Sequence, residues 1–197
     1  MRLLLKSEEV AWSGIMMSVA VLLIVLSSVI ETSSLFLLAA SSFICGLVQR
    51  KFSIKLSVIF AFGTFILGLI LAPNKLYCFT FIGFSIYVLV AEYFRKKLND
   101  SYKNGDDSKI KKDRRTSFLV KCIVYHVLLI TALVLVNMFT GINIESAASW
   151  MKKIADIPIL FGTVVFIMAE LLRIIFDRAY IFFQDRYAYL LLRENRQ

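Results

Sequence analysis

The residues in this chain that could do chemistry are few, and they stand in apolar surroundings. His126 is the only histidine. Glu170, Arg173 and Asp177 follow one another at helical spacings of three and four, which puts them on one face and lets them form a ladder of ion pairs. Tyr180 and Gln184 continue that face. Glu92 stands near Arg95 and Lys96, either of which can pair with it. A histidine or a carboxylate inside a membrane helix is costly, so it marks a proton relay, a ligand contact or a structural clamp. His126 can relay protons, bind a substrate or simply hydrogen-bond within a bundle. Glu170 can belong to a site, or it can clamp a helix while Arg173 snorkels to the interface. Glu31 can meet a ligand arriving from outside or be an exposed turn acid.

Catalytic machinery is missing by motif. The chain has no HExxH, no Walker loop, no GxSxG and no acids at metal-ligand spacing. The expectation is therefore no enzyme, no cofactor and no metal. Cys45, Cys78 and Cys122 lie in or beside apolar runs and are odd in number, which argues for packing or lipid-facing thiols rather than disulfides.

The elements that must position these residues are membrane helices. Of 197 residues, 59% are hydrophobic, and the mean hydropathy is +0.75. A soluble domain is about 45–50% apolar. The apolar residues come in runs of about 17–23, the length one helix needs to cross a bilayer. Six are expected, at 10–30, 35–48, 54–72, 76–94, 117–139 and from 157 to 176, the last continuing as an amphipathic arm over 177–197. Thr32 or Ser33 can cap the second helix. Pro73 stops the third, and Pro158 suits the first turn of the sixth. Between the fourth and fifth, 95–116 reads as a basic solvated loop; residues 95–115 hold nine basic and four acidic side chains. Residues 140–156 read as a loop with a short interfacial helix around Ile144, Trp150 and Met151. Trp12, Tyr77, Trp150, Tyr187 and Tyr189 sit where aromatic belts form. The expected fold class is thus an all-α membrane protein, a six-helix bundle in one transmembrane domain.

The formal net charge of +9 does not indicate nucleic acid, because the basic residues cluster between apolar runs. With the N-terminus cytoplasmic, the inner segments hold Arg2 and Lys6, then Arg50, Lys51 and Lys55, then the nine of 95–115, then the C-terminal arginines. The outer segments hold only Lys75, Lys152 and Lys153. Both termini are therefore expected in the cytoplasm, with the chain in the plasma membrane. Gly14 and Ser18 form a small-xxx-small pair that would let another helix approach closely.

The segment Leu71-Ala72-Pro73-Asn74-Lys75, the aromatic helix after it with Gly83 and Tyr87, and Asp177-Arg178-Ala179-Tyr180 resemble a group of small membrane proteins of Firmicutes. These have the layout of the substrate-binding S component of energy-coupling factor (ECF) vitamin transporters. The resemblance implies a passive protein that binds a small molecule from outside and docks on a transmembrane coupling subunit, with ATPases elsewhere supplying the energy. Helix 1, through Gly14 and Ser18, would then be the docking face. Candidate ligand contacts are Glu31, Asn74, Tyr87, His126 and Asn137. The alternative is a structural or regulatory membrane protein that binds a protein partner through 95–115 or the C-terminal arm.

Overall fold

The computed structural model describes residues 7–192 except 104, 106 and 141–157. Every described element is a helix: α1 (Ser7–Ser27), a 3-10 turn (Glu31–Ser33), α2 (Ser34–Lys51), α3 (Ile54–Leu71), α4 (Lys75–Lys103), α5 (Asp107–Thr140) and α6 (Pro158–Leu192). Four stretches are long and apolar enough to cross a membrane: Glu9–Ser27, Ile54–Leu71, Lys75–Lys103 and Asp107–Ala132. Their outward residues are large and apolar, among them Ile15 and Leu22 on α1, Phe62 and Ile70 on α3, and Ile123 and Ile130 on α5. Water would penalise such a surface, whereas hydrocarbon solvates it.

The helices meet through an apolar core that includes Ile24, Leu38, Phe60 and Phe81, crossed by bonds from small and polar side chains. α2 is the hub, packed against α1, α3, α4 and α6, and buried without interruption from Ser41 to Val48. The Ser41 hydroxyl donates to the Ala20 carbonyl of α1 (2.9 Å), and Ser57 of α3 donates to the Cys45 carbonyl (2.6 Å). Gln184 of α6 donates to the Phe43 carbonyl (3.0 Å). Such bonds hold helices together where apolar burial alone gives no preference over lipid. Gly46 makes the α2–α6 approach possible, because a Cβ there would run into the Tyr180 hydroxyl and lie 2.7 Å from Gln184 Nε2.

Several boundaries differ from the sequence expectation. α1 stops at Ser27, where Ile30 N–H donates to the Leu26 carbonyl (2.9 Å) and the chain turns. Ser33 takes the N-cap position of α2 without a side-chain bond, whereas Ser53 caps α3 by accepting from Leu56 N–H (3.3 Å). Ala72 is extended (φ −77°, ψ 133°), as a residue before proline must be, and ends α3.

The largest difference is at 95–116, which is not a loop. α4 continues to Lys103, α5 begins at Asp107, and the chain reverses at Gly105 with φ 66°. Ser101 donates to Asp113 (2.7 Å) and Lys97 pairs with it (3.1 Å), tying the two arms into a hairpin. Arg114 adds a bond to the Tyr102 hydroxyl (2.6 Å). The helical continuation expected from residue 177 is present: α6 runs unbroken through to Leu192. Beyond Thr140, the interfacial helix expected over 140–156 lies outside the described residues.

Candidate functional site between α4, α5 and α6

Glu170 stands twelve residues into α6, about 18 Å from its start at 1.5 Å per residue. It makes the expected pair with Arg173, whose Nη2 lies 2.7 Å and Nε 2.8 Å from Glu170 Oε2. Arg173 does not snorkel. Its side chain is 5% exposed and packs over the Phe118 ring at 4.9 Å. The other carboxylate oxygen, Oε1, turns to α5. It accepts from the Cys122 thiol (3.2 Å) and lies 3.8 Å from His126 Nε2.

His126 is oriented by its own helix. Its Nδ1 is 2.9 Å from the Cys122 carbonyl. A carbonyl only accepts, so Nδ1 carries the hydrogen and the lone pair of the neutral ring is on Nε2. That Nε2 is buried without a hydrogen-bond partner. The ring stacks on Phe166 of α6 (centroids 5.2 Å apart, planes at 26°), which fixes its tilt.

One turn beyond Arg173 on α6 the ladder departs from expectation. Asp177 accepts from Lys121 Nζ of α5 (3.0 and 3.4 Å) and from the Tyr87 hydroxyl of α4 (3.2 Å). Donors projecting from neighbouring helices thus take the carboxylate expected to pair with Arg173. The Tyr87 ring also meets Tyr125 edge to face at 6.1 Å. Three helices therefore place Tyr87, Lys121, Cys122, His126, Glu170, Arg173 and Asp177 in one polar network between apolar faces.

A second cluster lies further along α4 and α6. Glu92, 3% exposed, accepts from Arg50 of α2 (2.6 Å), from Arg95 (2.9 Å) and from the Tyr180 hydroxyl (2.6 Å). Pairing with Arg95 follows from the i,i+3 spacing, but Arg50 and Tyr180 are long-range partners. Tyr180 and Gln184 thus face α2 and α4 rather than extending the Glu170 ladder.

Of the ligand candidates, Tyr87 and His126 join the α4–α6 network. Asn74 does not: its Oδ1 accepts from Leu76 N–H (3.1 Å) and starts α4. The side chains of Glu31 and Asn137 lie outside the described residues. Gly14 and Ser18 are on an open face of α1, where an added Cβ at Gly14 would meet nothing within 4 Å. Cys45 and Cys78 are buried free thiols, as expected for packing residues. Cys122 is different, being one of three donors with His126 and Glu170 that all lie within 4.8 Å of one another. Sequence reading missed this grouping, although Cys122 and His126 stand at the i,i+4 spacing that shares a helix face. Compared with known protein families, curated proteins and solved structures, the chain matches none.

Proposed function

We propose that this chain is a six-span protein of the plasma membrane, with both termini in the cytoplasm, that binds a solute for a transporter powered by partner subunits. On this reading it resembles an S component, does no chemistry of its own, and docks on a transmembrane coupling subunit through the face of α1 that carries Gly14 and Ser18. Two crossings come from α2 and α6, in addition to the four stretches already long and apolar enough to span. The observation that carries the reading is the polar network among α4, α5 and α6. Ionisable groups at that depth are expensive, and they recur where a membrane protein handles a solute or an ion. Tyr87 and His126 would be its solute contacts, with Glu170 and Asp177 setting the charge.

A Cys-His-Glu hydrolase is disfavoured by the ring orientation of His126. The nitrogen 3.7 Å from the Cys122 thiol is Nδ1, whose hydrogen is committed to a carbonyl, so it cannot accept the thiol proton. A purely structural protein would use the same network as a clamp. Uptake by the purified chain in liposomes separates self-sufficient transport from the proposal. No accumulation is expected without partners, and accumulation driven by an ion gradient alone would show that no coupling subunit is needed.

A further inference from the structure

We propose that Cys122, His126 and Glu170 form a binding site for one divalent transition-metal ion of the zinc type. His126 Nε2 carries a lone pair, is buried, and has no donor facing it. Its nearest charged neighbour is Glu170 Oε1 at 3.8 Å, and an ionised carboxylate oxygen can only accept. A lone pair and a carboxylate oxygen 3.8 Å apart repel each other, and a proton or a cation between them relieves that repulsion.

The third donor completes the set. Cys122 Sγ is 3.2 Å from the same Oε1. A tetrahedral zinc ion, with ligands at ~2.0–2.3 Å, holds its donor atoms roughly 3.3–3.7 Å apart. The Cys122 Sγ–Glu170 Oε1 distance (3.2 Å) lies just below that range and the His126 Nε2–Glu170 Oε1 distance (3.8 Å) just above it, so small side-chain adjustments would let the three donors close on an ion.

The surroundings resemble the outer shell of a metal site. A ligating histidine usually gives its other N–H to a carbonyl or carboxylate, and a ligating carboxylate is itself hydrogen-bonded. His126 gives Nδ1–H to the Cys122 carbonyl. Glu170 has Oε2 held by Arg173, leaving Oε1 for the ion. The donor chemistry selects the ion class. Thiolate with imidazole and one carboxylate suits zinc, cobalt or a similar ion, and is unlike the all-oxygen sets that magnesium and calcium take. Binding exchanges the thiol proton for the ion: the Cys122 S–H bond breaks, an S–metal bond forms, and one proton is released. Thiolate and carboxylate then neutralise the two positive charges. Three protein ligands leave a fourth position for water or a solute.

The inference deepens the transport reading, and it rests on that reading only for the ion being the solute, alone or as a chelate. The test uses the full chain in detergent, stripped of metal and titrated with Co2+, then with Zn2+ as competitor. The expected result is one equivalent of Co2+ bound, with a thiolate-to-cobalt charge-transfer band that Zn2+ removes. The band should vanish in Cys122→Ser and survive in Cys78→Ser, whose thiol packs against Gly68 away from the site. His126→Gln and Glu170→Gln should each weaken binding about tenfold or more. Saturating Co2+ giving no thiolate band in the unaltered chain would overturn the site, whatever the variants do. A band that persists in Cys122→Ser would overturn it as well. A normal band with no metal-dependent uptake in cells keeps the site and removes transport of the ion. Co-purifying coupling and ATPase subunits without any band keeps the transport reading and removes the site.

Discussion

At the scale of single residues, the structure is held by buried charges that have been given partners. Among the described residues, Glu92 and Arg50 are the best-buried ion pair, with side chains 3% and 9% exposed. Removing one charge of such a pair leaves the other uncompensated, so Glu92→Gln should cost about 3–5 kcal/mol. Tyr180→Phe removes only a donor to a carboxylate that keeps two arginines, and should cost about 1.5–3 kcal/mol. The order of the two losses is the check, read as the fall in melting temperature in one detergent. Equal losses would mean that Arg50 contributes nothing through Glu92. Gly46→Ala acts by overpacking, because its Cβ collides with Tyr180 and Gln184. It should cost about 1–3 kcal/mol, and Tyr180→Phe should relieve part of that cost in the double variant; strict additivity would contradict the steric account. What was legible at this scale was whatever spacing within one helix decides: Glu170 with Arg173, and Glu92 with Arg95. Arg50, Tyr180, Lys121 and Cys122 became visible as partners only when separate helices were brought together, because no local pattern encodes which helix faces which.

At the scale of elements, apolar runs in the sequence located the helices well, since hydrocarbon length fixes the length of an apolar span. The failure at 95–116 has a physical reason. Lysine, arginine and leucine are good helix formers, so a basic stretch can be solvated and helical at once. Polarity located where the chain leaves the apolar layer, not where the helices end. Asp113 gives the hairpin a pH dependence. The hydrogen bond from Ser101, with the Lys97 contact, lowers its pKa below the usual carboxylate value. A depressed carboxylate stabilises the fold above its unfolded pKa of about 3.9 and loses that contribution as pH falls through the folded value. Protection of the amides at 97–103 and 109–115, taken as the intrinsic exchange rate over the observed rate at each pH, should therefore fall below about pH 4. Asp113→Asn should be less protected at pH 7 and lose little further protection on acidification. A hairpin equally protected at both pH values in the unaltered chain would contradict this account.

At the scale of the whole molecule, the described helices expose large apolar side chains such as Leu22, Phe62 and Ile123, the surface expected in lipid, and set buried serines among a core that includes Ile24, Leu38, Phe60 and Phe81. The proposed topology, six crossings with both termini inside, predicts that a cysteine at residue 104 is shielded from a membrane-impermeant thiol reagent added to cells, while one at residue 74 is labelled. The reverse pattern would invert the topology. The central claim is that this protein binds solute for an assembly and depends on partners for energy. Native mass spectrometry of the complex extracted from its own membrane tests it most directly. The expected result is the chain together with one transmembrane coupling subunit and ATPase subunits, and the loss of those partners when Gly14 and Ser18 are both changed to Leu. Recovery of the unaltered chain alone or only with copies of itself, in a detergent that keeps other multisubunit transporters intact, would contradict it.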